Sequence, residues 1–306
     1  MTFKYYKSVA SSHWQSQTKI SINSKNTRKI KGLLYHPSNR SIVDSYDDDT
    51  LIHMFRIDQT NCGDWWSSSI HYFTFPSHNN VVEINDYMED IPLQGTAIVG
   101  GGGLIGPAFK QLEHLVKSPL IKTIGWGLGN NMLDDKKHGY VSETVPLPEY
   151  VKYFDLLGIR DDIEGYRWVP CASCMHPAFS QKYDILYDIV IFEHKRIPID
   201  IDGFPKMSNN GNDIEKIIHF LASGEIVLTN SYHGAYWALL LERKCVVFPF
   251  SSKFFAFKHP LVLGHMDDWK RLVSKACRYD EALFECREAN IDFYKDTMRF
   301  IADMTK

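Results

Sequence analysis

Residues Leu228–Phe254, LTNSYHGAYWALLLERKCVVFPFSSKF, decide how the rest of the chain is read. An apolar strand, Glu225–Leu228, leads into them. A helix begins near Ser231 and carries the run AYWALLL, which Glu242 and Arg243 end. A second apolar strand, Cys245–Phe248, follows. Short apolar strands separated by a helix are what a parallel sheet buried on both faces requires. Open sheets of this kind bind ligands outside the carboxyl ends of their strands. The two polar breaks of this stretch are such ends. His233 lies in the first and Lys253 in the second.

Working outward, the same alternation recurs. Candidate strands are Leu51–Ile57, Thr96–Val99, Ile121–Ile124, Tyr153–Ile159 and Asp188–Glu193. Ile214, Ile217, Ile218 and Leu221 repeat at helical spacing behind Asn212 and Asp213, an N-cap region. A long helix is expected over 281–304. The stretch 165–185, with Gly165, Pro170 and Pro177, shows little periodicity and reads as a junction. The expected fold class is therefore α/β. It has two Rossmann-like domains facing a cleft, residues 1–170 and residues 171–306, the second ending in the long helix. The Ser/Asn/Lys-rich stretch 17–28 and SYDDDT at 45–50 read as exposed turns.

Composition narrows the function. The 306 residues carry a formal net charge of −3, which supplies no basic field for nucleic acid. No apolar run approaches the length that spans a bilayer, and the first residues show no export signal. Six cysteines are scattered through a chain long enough to bury a core without staples. A reduced, cytoplasmic protein is expected. Cys171 and Cys174 form a lone C-x-x-C; with no second pair they read as small apolar fillers rather than metal ligands.

The remaining strand ends supply the candidate site. Asn61, Gly63 and Asp64 follow the first strand; Asp64 either caps a helix or orients a hydroxyl. Gly101, Gly103 and Gly106 formally satisfy G-x-G-x-x-G, with Gly102 between them. The next strand leads into GWGLGNN without the acidic residue a nicotinamide dinucleotide wants. The glycines therefore read as close backbone approach to a ligand, or as tight packing. Arg160 ends the Tyr153–Ile159 strand, placed to hold a carboxylate or phosphate. His194 and Lys195, with Arg196, end Asp188–Glu193. Asn230, Ser231 and Tyr232 surround His233 at a helix start that favours an anion.

NCGDWW, the GGGLIG turn, IGWGLG, GIRD and TNSYHGAYWALLLERK followed by PFSSKF resemble the polysaccharide pyruvyl transferase family over roughly residues 52–258. The resemblance implies a fold similar to GT-B glycosyltransferases, with the acceptor on the N-terminal side and the donor on the C-terminal side. It implies a cytoplasmic transferase of polysaccharide biosynthesis that moves a pyruvyl group from phosphoenolpyruvate onto two sugar hydroxyls as a cyclic ketal. No metal or other cofactor is expected. The acceptor would be a glycan or lipid-linked sugar, and a lipid-linked one would bring peripheral membrane association. Many members carry Arg two residues before the motif His, where this chain has Ser231; Lys253, Lys195 or Arg160 would substitute. On this basis His233 is the acid or phosphate-binding group. Arg160 and Lys253 hold the donor's anionic groups, and Asp64 orients or deprotonates the acceptor hydroxyl. Trp65, Trp66 and Trp126 are candidate sugar-stacking faces, although core packing is the more frequent use of Trp. The alternatives are a glycosyltransferase using a nucleotide sugar and a non-catalytic two-lobed sugar-binding protein.

Overall fold

The computed structural model describes residues 51–75, 79–87, 95–131 and 146–304. The turns expected at 17–28 and 45–50 lie outside them. A first sheet is built from β1 (Leu51–Phe55), β2 (Asn79–Glu83), β3 (Gly95–Gly100), β4 (Ile121–Leu128) and β5 (Leu156–Ile159). All its pairings are parallel and its order is β2-β1-β3-β4-β5. Two short helices, α1 (Cys62–Trp65) and α2 (Gln111–Lys117), belong to this half.

The second sheet comprises β6 (Tyr187–Glu193), β7 (Lys206–Ser208), β8 (Gly224–Thr229), β9 (Lys244–Val247) and β10 (Val262–Leu263). It too is all parallel, in the order β10-β9-β8-β6-β7. Counted from its own first strand, this is 5-4-3-1-2. Read from the other edge it is 2-1-3-4-5, the order of the first sheet. The chain thus contains the same parallel α/β topology twice. That order has its reversal between the first and third strands, where such sheets bind ligands. In this protein the reversals fall between β1 and β3 and between β6 and β8.

The central strands were readable because burial on both faces demands apolar runs; all five residues of β1 are buried. The strand expected from Tyr153 begins instead at Leu156. Tyr153 closes a 3₁₀ turn, Glu149–Tyr153, and is exposed. β2, β7 and β10 were not expected. They are edge strands of two to five residues with partly exposed side chains, so they carry no apolar signature.

Three helices complete the second half. In α3 (Ile214–Ala222), Ile214, Ile217, Ile218 and Leu221 form the buried stripe, and Asp213 accepts from the Lys216 N–H as the cap. In α4 (Tyr232–Leu240) every residue is buried, which marks a helix enclosed on all sides. The short α5 (Trp269–Val273) packs near β9. The last helix, α6 (Ala282–Met304), returns to the first half: Asn290 accepts from Trp126 Nε1, and Tyr294 donates to the Thr74 carbonyl. One apolar core consequently runs through Trp126, Val169, Trp237 and Phe293 without interruption.

Candidate functional site

The carboxyl ends of the two sheets meet through β1 and β6. The loop after β1 bridges to the loop after β7, with Asn61 paired to Asn210 and Gly211. Cys62 N donates to the Asn209 carbonyl at 3.3 Å, and Asn209 Nδ2 donates to Asn61 Oδ1 at 3.1 Å. Lys195, just after β6, crosses to the first half. Its Nζ donates to Asp58 Oδ2 at 3.2 Å and to the carbonyl and hydroxyl of Thr60, both at 2.8 Å. Burial opposes ionisation of Asp58, yet bonds from Thr60 and Lys195 hold its carboxyl below the usual range. Trp66 Nε1 adds a bond to the Asn212 carbonyl. Lys195 and Asn61, both expected at the substrate site, thus also fasten the two halves.

Beside this seam lies a group of a different kind. Arg160 follows β5 and is 3% exposed. Its guanidinium lies 3.7 Å from the centre of the Tyr232 ring. On another side is Gly129, where a Cβ would fall 1.9 Å from Nε. A glycine is required there by the cation itself. Asp161 Oδ1 stands 3.8 Å from Nε, beyond hydrogen-bonding distance. Among the described residues, Nε and Nη2 donate to nothing. Asp161 instead accepts from the Asn130 N–H at 2.6 Å, and burial pushes its carboxyl up to about 6 against the pull of Arg160.

Lys253 comes from the loop after β9, in the 3₁₀ turn Ser252–Phe254. Its ammonium sits 4.5 Å from the Phe250 ring centre and 5.2 Å from that of Phe254. Among the described residues no carboxylate lies within ion-pair distance of it. Burial, then the Arg160 charge, pushes its pKa down to about 8, with Asp64 opposing. A backbone bond from Asp162 N to the Ala256 carbonyl, 2.8 Å, ties the Arg160 loop to the Lys253 loop. Two cations from different sheets are thus held where each raises the cost of the other. Such a pair calls for an anion.

His233 stands in the first turn of α4, whose N-cap is Ser231. It is 7% exposed, and burial followed by Arg160 and Lys253 pulls its pKa well down, so the imidazole is neutral. Its Nε2 is 3.5 Å from Cys171 Sγ. Its Nδ1 edge lies against Gly63, where a Cβ would come within 2.0 Å of Nδ1. Asp64, the next residue, accepts from Asn61 Nδ2 at 2.8 Å. Burial raises its carboxyl, while Arg56, Lys253 and Lys195 partly offset this. Asp64 therefore lies inside the turn of α1 rather than capping it.

Several expected site residues have other duties. Trp126 is 1% exposed, packed among Phe73, Phe75 and Phe293 with its N–H on Asn290. No face is left for a sugar, so the stacking role is corrected. Asn230 is used at both ends, accepting from His194 N and donating to the Ile197 carbonyl. Ser231 turns back to accept from Gly234 N. His194 is partly buried against Phe250, and burial with nearby Lys253 pulls its pKa down to about 4. Gly101 is at φ +79° and a Cβ on it would strike the Ser67 carbonyl; one on Gly103 would strike Asn131. The helix α2 starts well past these glycines, after a 3₁₀ turn at Pro107–Phe109. Of the two readings of the glycine turn, tight packing is what Gly101 and Gly103 display; Gly102, at φ +89°, meets only Ser67 Oγ, at 3.9 Å.

Cys171 and Cys174 are buried and reduced, in and before the 3₁₀ turn Ala172–Met175. Among the described residues, no three His, Cys, Asp or Glu side chains assemble as a metal site needs, and no helix is long and apolar enough to cross a membrane. Gly129 is a site neighbour that the sequence reading did not single out, and Cys171, read there as an apolar filler, lies against His233. Gly129 did stand within GWGLGNN, but only the position of Arg160 reveals its use.

No protein-family model matches the chain, and no curated relative matches it. Among solved structures, one similar chain is the wall teichoic acid polymerase TagF, solved with CDPG. It is 10% identical, with a TM-score of 0.43 over 92% of this chain and 96% of that one. A likeness this remote carries no argument about activity.

Proposed function

We propose that the protein is a transferase of glycan synthesis that takes phosphoenolpyruvate as donor and forms a pyruvyl ketal on a sugar. The observation that carries this reading is the buried Arg160 guanidinium, unbonded at Nε and Nη2, sharing its site with Lys253. A compact polyanion satisfies both cations at once. Phosphoenolpyruvate offers a phosphate for one and a carboxylate for the other. The cleft between the halves, with donor held mainly by the second and acceptor by the first, belongs to the same proposal.

The chemistry then follows from the titrating groups. The methylene carbon of the enol must gain a proton, and the carbon bearing the phosphate must be attacked by a hydroxyl that loses one. The phosphate leaves and a second hydroxyl closes the ring, losing its own proton. Of the two hydroxyl protons, one ends on the new methyl group and one on phosphate. Asp64 suits the proton transfers, because burial raises its carboxyl and so makes it a readier proton acceptor than an ordinary carboxylate. His233, neutral beside two cations, suits hydrogen bonding to the donor's anionic oxygens. Of its two expected roles, this favours phosphate binding over acid catalysis. Arg160 and Lys253 stand in for the cation absent at Ser231.

A nucleotide-sugar glycosyltransferase is the second reading. Two parallel sheets meeting at their carboxyl edges suit it equally, and a pyrophosphate would satisfy the same cations. Incubation with phosphoenolpyruvate and a panel of galactose-, mannose- and glucose-containing glycans separates the two. Phosphate release with a ketal detected by mass spectrometry is expected. Turnover of a nucleotide sugar with release of nucleoside diphosphate, and none of phosphoenolpyruvate, would replace the first reading with the second.

A further inference from the structure

His233 has two ring nitrogens, and which one carries the proton is set by what the other bonds. A chain of side chains behind the ring answers this. Trp237 Nε1 donates to Ser173 Oγ at 3.0 Å. An indole N–H can only donate, so the direction of this bond is fixed. Ser173 Oγ is also 3.2 Å from Cys171 Sγ. Among the described residues no other acceptor is within reach of the Ser173 hydroxyl, so its proton points at the sulfur. The Cys171 thiol, in turn, has His233 Nε2 at 3.5 Å as its remaining acceptor.

We propose that Trp237, Ser173 and Cys171 form a one-way hydrogen-bond chain that holds His233 as the neutral Nδ1–H tautomer, with its donor on the edge that lies along the Gly63 turn. The direction cannot reverse without stranding the serine proton, and Trp237 offers no acceptor to take it. Burial keeps the Cys171 thiol protonated, with Ser173 and Arg160 only partly opposing, so a proton is present to donate. Tyr236 anchors the turn by donating to the Cys171 carbonyl at 2.9 Å. The absent side chain of Gly63 lets the Nδ1 edge pack close to the α1 turn, since any Cβ there would sit 2.0 Å from that atom. Cys171 is on this account a positioning residue. It does not touch the donor; it decides what His233 offers.

The inference rests on His233 belonging to the anion site, but its test needs no substrate. Nitrogen-15 spectra of the histidines, with His233 assigned by its loss in His233→Gln, report the tautomer directly at neutral pH. The wild type is expected to show a protonated Nδ1 and an unprotonated Nε2. Cys171→Ser, which keeps a donor, should retain that pattern. Cys171→Ala should shift the tautomer ratio toward Nε2–H by roughly fivefold or more, the size of one lost neutral hydrogen bond. Ser173→Ala should move it the same way by less. A wild-type His233 protonated at Nε2, or a ratio unmoved in Cys171→Ala, would overturn the proposal whatever donor the protein uses. A clean Nδ1–H signal without phosphate release from phosphoenolpyruvate would leave it standing and sink only the donor assignment.

Discussion

Lys195 and Lys253 both follow strands of the second sheet, and both come close to the first half of the chain. They differ in what surrounds the ammonium. Lys195 has three oxygen acceptors, all contributed by Asp58 and Thr60. Lys253 has the faces of Phe250 and Phe254, the charge of Arg160 nearby, and no carboxylate within ion-pair distance among the described residues. The first arrangement is complete in the protein alone. The second, shared with Arg160, leaves two buried guanidinium nitrogens without acceptors among the described residues, which native structures tolerate where a ligand supplies the missing partner. The contrast is between a fastener and a receptor built of the same residue type. Stability and binding should therefore respond in opposite ways at the two places.

The strongest break of that comparison is Arg160→Met. Donor turnover should fall by roughly 10²–10³-fold, as when an oriented charge is removed from a site that stabilises anionic oxygens. The thermal midpoint should hold or rise, because a buried guanidinium with Nε and Nη2 unbonded among the described residues contributes little to the fold and costs desolvation. Steady-state kinetics and a melting curve on the same variant decide it. A large loss of stability would mean that the 3.8 Å approach to Asp161 is structural, and the receptor side of the contrast would fail.

The next effect lies in pH dependence at Lys253. Folded, its pKa is about 8; unfolded, an ordinary lysine stays near 10.5. Between those values the unfolded chain binds the extra proton, so this residue makes stability rise with pH across about 8 to 10.5. Below 8 both states are protonated and the full cost of burying the charge is felt. Lys253→Met should therefore melt higher than the wild type at pH 7, and the gap should close as pH climbs through that window. Over the same range the wild type should lose affinity for inorganic phosphate as the ammonium deprotonates. Melting curves and phosphate titrations at pH 7, 8, 9 and 10 would show both trends. A gap that stays constant with pH would mean the lysine is not held as a buried charge.

How much of this was legible beforehand follows the same division. The central strands β1, β3, β4, β6, β8 and β9 were readable because two-sided burial writes itself as an apolar run. Edge strands such as Lys206–Ser208 were not, since half their surface is free to be polar. Arg160, His233, Lys253 and Asp64 stood out by their places at strand ends. What sequence could not give was which polar residues find partners across the halves. Lys195 meets Asp58 at a separation of 137 residues, and Cys171 meets His233 at 62. Trp126 shows the same limit: stacking face and core filler read alike in the sequence, and it is a helix residue 164 positions away that covers it.

The smallest expected effect is at the fastener. Lys195→Met removes three hydrogen bonds from a side chain only 15% exposed and leaves the Asp58 carboxylate with Thr60 alone. Bonds to charged groups suggest a loss of about 1–3 kcal/mol, read as a lower melting temperature. Turnover at saturating donor should change by less than about tenfold, because the Lys195 ammonium is already taken up by Asp58 and Thr60. Its pH behaviour should mirror that of Lys253. Asp58 is held below its usual range by Thr60 and Lys195 against burial, so its contribution is present above the ordinary carboxylate pKa. It disappears only as acid protonates the folded carboxylate. The stability gap between wild type and Lys195→Met should therefore persist from pH 9 down to about 5 and narrow only in stronger acid. If the gap instead varied near pH 8, Lys195 would be titrating as Lys253 does, and the division between fastener and receptor would not hold.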